Sequence, residues 1–111
     1  MSVLKGFEQR AIDLLLGGVL PPETIRAVKE KAEFVGYEHT GAGYFLTLRH
    51  PALPRERLVC DKPRVMGECR GIESGFIVFI ENSELLLECH SWGTEAVPAT
   101  YRDENVQITA T

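Results

Sequence analysis

Two groups able to move a proton sit two residues apart near the C-terminal third of this chain, the carboxyl of Glu88 and the imidazole of His90. In an extended segment alternate side chains share a face, so Leu86, Glu88, His90 and Trp92 point one way and Leu85, Leu87, Cys89 and Ser91 the other. A carboxylate beside an imidazole is a candidate general acid/base couple, because imidazole titrates nearest neutrality. Arg49 or His39 would complete such a site if their strands lie alongside. Nothing in the segment fixes a nucleophile or an oxyanion donor, so the plainer account is a polar patch on a wet sheet face. We assign no catalytic residue.

Metal and phosphate chemistry fare no better. Cys60, Cys69, Cys89, His39, His50 and His90 supply ligand types that suit zinc. None of them forms the tight C-x₂₋₄-C or H-x₃₋₅-H pair that structural zinc sites use, and Cys89 and His90 point to opposite faces. Three cysteines without a CxxC spacing do not make a secreted disulfide framework, which favours free thiols in a reducing compartment. Gly41-Ala42-Gly43 joins two strand-like runs and opens no helix, so it is a turn and not a phosphate cradle. The basic series Arg49, Arg55, Arg57, Lys62, Arg64 and Arg70 is broken by Glu56, Asp61 and Glu68, and we expect no direct nucleic-acid contact. No metal and no cofactor are expected.

The elements that must position these residues follow from periodicity. Leu4, Phe7, Ala11, Leu14 and Leu15 recur at helical spacing, with Ser2 as the expected N-cap and Gly17-Gly18 as a left-handed stop. Pro21-Pro22 opens a second helix with Glu23 in its first turn, an apolar stripe of Ile25, Val28 and Ala32, and an end near Glu33. The period then changes to two. Phe34 to His39 and Tyr44 to His50 flank the Gly41-Ala42 turn, which pairs His39 with Tyr44, Tyr37 with Leu46 and Val35 with Leu48. Leu58 to Cys60 and Arg64 to Cys69 read as weaker strands split by Pro63, followed by a loop from Arg70 to Gly75. Gly75 to Ile80 is apolar on both faces and reads as a central strand. Leu85 to Trp92 returns antiparallel after a turn at Glu81–Glu84, and Val106 to Ile108 closes the sheet. The expected fold is α+β: two N-terminal helices (residues 1–33) on one face of an antiparallel sheet of five or six strands (residues 34–111), in a single domain.

Composition bounds the function. The chain has 111 residues, is 44% hydrophobic and has a mean hydropathy of −0.07, which excludes disorder. Its longest apolar stretch, Gly75 to Ile80, is far short of the roughly 20 residues of a membrane span. No basic stretch leading into an apolar run marks the first residues, so we expect a cytoplasmic protein. Charge is lopsided. Residues 1–70 hold eleven Lys/Arg and nine Asp/Glu, a net +2, whereas residues 71–111 hold Arg102 against seven acids, a net −6. Such a half attracts a basic partner. The expected partner surface is Glu73, Glu81, Glu84, Glu88, Glu95, Asp103 and Glu104, with His90 among them. Trp92 and Tyr101 serve as aromatic anchors, and Tyr37 is a third candidate.

The stretches Gly43-Tyr-Phe-Leu-Thr-Leu-Arg-His-Pro, Gly75-Phe-Ile-Val-Phe-Ile-Glu-Asn-Ser-Glu-Leu and Glu88-Cys-His-Ser-Trp-Gly resemble small bacterial immunity proteins of contact-dependent growth-inhibition and polymorphic-toxin systems. The resemblance spans about Tyr37 to Ile108 and carries over no functional residue. It implies a cytosolic protein that binds one toxin domain, often a nuclease, and blocks its active site. The alternatives are a small hydrolase or isomerase using His90 with Glu88, and a subunit that dimerises through its sheet face or an open edge.

Overall fold

A computed structural model describes residues 3–93 and 95–111. Two helices, α1 (Gly6–Leu16) and α2 (Pro22–Lys31), precede five strands. These are β1 (Glu33–His39), β2 (Gly43–Arg49), β3 (Leu58–Cys69), β4 (Ile72–Glu81) and β5 (Glu84–Ser91). A 3-10 turn at Tyr101–Asp103 leads into β6 (Gln107–Ala110). All six strands join one antiparallel sheet in the order β1-β2-β5-β4-β3-β6, so the expected α+β class and helix-on-sheet arrangement hold.

The alternation of each strand decides which face the helices cover. Tyr44, Leu46 and Leu48 of β2, Leu85, Leu87 and Cys89 of β5, and Phe76, Val78 and Ile80 of β4 are all buried on one face. Phe7, Ala11, Ile12, Leu15 and Leu16 of α1 join them in one apolar cluster, with Ile25 and Val28 of α2. α1 packs against β3, β4 and β6. The buried thiol of Cys89 is pushed up to about 12 by loss of solvent, so it stays protonated and inert near neutrality.

One buried group in this cluster is charged. Glu8, with 0% exposure, sits in the first turn of α1. Its Oε1 accepts the Lys5 backbone N–H (2.8 Å) and Arg102 Nη2 (2.8 Å). Its Oε2 accepts Arg102 Nε (2.7 Å) and the Tyr44 hydroxyl (2.5 Å). Burial, with the Glu8 carboxylate beside it, pushes the Tyr44 hydroxyl far above its ordinary range, so it remains a donor. Four donors on two oxygens offset a desolvation cost of several kcal/mol.

Five local expectations need correction. Ser2 lies outside the described residues, and the N-cap of α1 is Lys5, where Glu8 reaches back to the cap N–H. Gly17 is not left-handed but right-handed (φ −57°, ψ −27°); the carbonyl of Leu16 accepts the N–H of Val19 and Leu20, and a Cβ on Gly17 would lie 2.8 Å from Asp13 O. Phe34, not Val35, pairs with Leu48, because a bulge at Val35 shifts the register, while His39–Tyr44 and Tyr37–Leu46 pair as expected. Pro63 does not split β3. It follows a cis peptide bond inside an irregularity between Cys60 and Val65, where the ladder asks no donor of it. The loop after β3 is also shorter than its composition suggests, since Arg70 and Gly71, both at positive φ, reverse the chain in two residues.

Removing the buried carboxylate leaves Arg102 and Tyr44 without their partner. Glu8→Ala is expected to lower the unfolding free energy by about 3–5 kcal/mol in urea titration. Adding Arg102→Met to it should cost little more, because the two groups act as a unit.

Candidate functional site

Among the described residues no layer covers the sheet face away from the helices. Along β5 it presents Glu84, Leu86, Glu88 and His90, continued by Trp92. By register Arg49, Thr47, Phe45 and Gly43 of β2 lie opposite Glu84, Leu86, Glu88 and His90. On the other side Glu81, Phe79, Ile77 and Gly75 of β4 lie opposite the same four. Phe45, Phe79, Leu86 and Thr47 floor a shallow cleft of about 490 Å³, rimmed by the carboxylates of Glu81, Glu84 and Glu88 and by Arg57. Glu84 spends its charge on Arg49 (2.6 Å), whereas Glu81 is exposed and Glu88 half-buried.

At the far end of this face Trp92 lies over the backbone of Gly75. A Cβ there would come within 2.6 Å of Trp92 Cδ1 and 2.7 Å of His90 Nε2, so only glycine admits the indole. The Arg64 guanidinium stands 5.1 Å from the Trp92 ring centroid, and the His90 ring lies 6.2 Å away at 30°. A cation over an indole is worth about 0.5–1 kcal/mol when exposed, enough to bias the ring's orientation. Trp92 is thus an exposed apolar surface held in place before any partner arrives.

Glu88 and His90 are same-face neighbours, as alternation requires. Glu88 Oε2 is 3.8 Å from His90 Nδ1, beyond hydrogen-bond range, and that nitrogen is buried with no partner among the described residues. Neither proposed helper reaches the pair. Arg49 is bound to Glu84 six positions along β2 from Gly43, roughly 20 Å away at strand spacing. His39 lies on the helix-covered face and bonds the Val97 carbonyl (2.7 Å). Ser91 donates to the carbonyls of Gly93 and Glu95, and Cys89 faces the core. Among the described residues no three His, Cys, Asp or Glu side chains gather into a metal site.

The ten expected partner-binding residues do not form one patch. Glu73, Glu81, Glu84, Glu88, His90 and Trp92 share the open face, and Glu95 is exposed in the loop beyond β5. Tyr101 cannot belong, being 1% exposed. Its hydroxyl meets Ser74 Oγ (2.9 Å), its ring meets Phe7 edge-on, and burial pushes it up to about 12. The proline, glycine and acids around it make a surface loop legible, but the 3-10 turn that points the ring inward is a tertiary outcome. Asp103 and Glu104 are also displaced. They pair with Lys5 and Arg70 (3.5 Å each) and line a cleft beside α1 with Lys5, Arg10 and Arg102.

Sequence reasoning passed over the floor of the face, namely Phe45, Ile77 and Phe79, and the two residues that seat Trp92. Gly75 carried a signal, since a glycine heading an otherwise apolar strand marks close approach of another group. Arg64 carried none, because its place depends on the irregularity around Pro63. Gly75→Ala is expected to displace the only tryptophan and shift its fluorescence emission, with Arg64→Ala giving a smaller shift in the same direction. Unchanged emission in Gly75→Ala would contradict the seating.

No protein-family model, curated protein or solved structure matches this chain.

Proposed function

We propose that this protein is an immunity- or antitoxin-like inhibitor that docks a basic toxin domain on its open sheet face and occludes that domain's active site. One observation carries the reading. The face left uncovered by the helices combines an apolar floor of Phe45, Phe79 and Leu86 with a carboxylate rim and a pre-seated tryptophan. An apolar centre with charged edges is the anatomy of a protein interface, and Trp is enriched among the residues that dominate binding energy. The sign of the rim selects the partner. A lysine or arginine entering the cleft would lay its methylenes on Phe45 and Phe79 and set its cation between Glu81 and Glu88. Enzymes that hold nucleic acid present such basic surfaces, which makes a nuclease domain the natural target class. Among the described residues no helix is long and apolar enough to cross a membrane. A cytoplasmic site of action is part of the proposal.

The test uses the tagged chain as bait in cells of its native host, beside a variant carrying Glu81→Lys and Glu88→Lys. The wild type is expected to recover a basic protein at near one-to-one ratio, in yield that falls as salt rises. The variant should recover less than about a tenth as much at low salt. Co-expression of the wild type with the recovered domain should restore growth. Equal recovery by the variant, or a partner whose toxicity the wild type leaves untouched, would refute the reading.

A further inference from the structure

The edge of the sheet at β1 carries a second surface, separate from the open-face cleft. Phe34 (50% exposed), Val35 (39%) and Tyr37 (40%) lie within four positions of one strand. Edge strands are ordinarily guarded by charged side chains (lysine above all), proline, bulges or brevity, and of these β1 carries Glu33, Glu38 and one bulge. β1 runs seven residues, Glu-Phe-Val-Gly-Tyr-Glu-His, with neither lysine nor proline, and only the bulge at Val35 interrupts it. The opposite edge, β6, is four residues long and bears no large exposed apolar side chain.

The backbone points the same way. Thr40 donates to Gly43 O across the turn (2.9 Å), which makes those two a hydrogen-bonded pair. Antiparallel alternation then turns the N–H and C=O of Glu38 toward β2, and those of Tyr37 and His39 outward along the open edge. Beside Tyr37, Gly36 lacks positive φ, and a Cβ on it would meet open space. Among the described residues no side chain or backbone atom crowds that position. A strand glycine marks a bulge, such as the one at Val35 beside it, or leaves room for the close approach of another backbone.

We infer that β1 pairs antiparallel with β1 of a second copy, about a two-fold axis through Tyr37, so that the two sheets become one. That register sets Tyr37 against Tyr37 and matches outward donor to outward acceptor. It places Glu38 opposite Gly36, so no carboxylate faces a carboxylate across the seam. This self-complementarity favours a second copy over an unrelated strand. The axis stands perpendicular to the sheet, which leaves both open faces on the same side and free. A single strand edge with three apolar side chains is smaller than the roughly 1,600 Å² of a standard stable interface, so the dimer is weak.

Analytical ultracentrifugation of the intact chain from about 5 to about 500 µM tests this, a range chosen to span micromolar affinity. The weight-average mass is expected to rise from 12.4 kDa toward twice that value. Tyr37→Lys and, independently, Val35→Lys should hold it at the monomer, each with a near-ultraviolet circular dichroism spectrum like the wild type's. Val35 lies at the bulge, so its variant keeps the test informative if Tyr37→Lys disturbs the neighbouring Tyr44 ring. Glu88→Lys on the open face should leave dimerisation unchanged. A mass that stays monomeric across the range overturns the inference. So does dimerisation that survives both lysine substitutions or is lost in Glu88→Lys.

Discussion

The carboxylate of Glu8 fixes how the two layers of this protein meet. It lies in the first turn of α1 and takes hydrogen bonds from β2 through Tyr44 and from the 3-10 turn through Arg102, 94 residues away in sequence. Arg102 also donates to Val3 O (3.0 Å), tying the N-terminal segment to the same point. A charge taken wholly out of water is stable only with this set of donors complete, so one placement of the helix satisfies it. The apolar stripe of α1 would accept several positions on a greasy sheet face; the Glu8 network selects among them. Strand alternation makes one sheet face apolar, and the bonds from Tyr44 and Arg102 to Glu8 fix where α1 sits on that face.

From that arrangement the site follows. With α1 and α2 on the face of Leu46, Leu87 and Val78, the odd residues of β4 and the even residues of β5 have no layer over them among the described residues. Their side chains are a mixture that neither a core nor a plain wet surface would select, with aromatic and aliphatic groups in the middle and carboxylates at the margin. Trp92 completes the face because Gly75 yields it space and Arg64 holds it from above. The edge at β1 is a separate consequence of topology. Placing the first hairpin at the end of the strand order leaves the outward backbone groups of Tyr37 with no strand beside them among the described residues.

What could be read beforehand was whatever depends on short-range pattern. The first hairpin was legible because period-two alternation and the Gly41-Ala42 turn agree, and the inward face of β5 because Leu85, Leu87 and Cys89 alternate cleanly. The bulge at Val35 was not, since one extra residue leaves composition unchanged. Pro63 reads as a strand break because proline lacks a ladder donor, yet the ladder is interrupted between Cys60 and Val65 and needs none there. Nothing in the local pattern singles out Glu8, because its partners lie 36 and 94 residues away. Tyr101, Asp103 and Glu104 looked like surface for the same reason. Their loop is polar, and its direction is set by Arg102 reaching for Glu8.

The most direct measurement of whether the open face is the working surface is site-specific photocrosslinking in cells of the native host. A photoreactive residue at Thr47, on the floor of the cleft, is compared with one at Arg26, on the wet face of α2. The expected result is a single discrete adduct from position 47 and none from position 26. Adducts from position 26 alone, or equally from both, would contradict the assignment of binding to the sheet face.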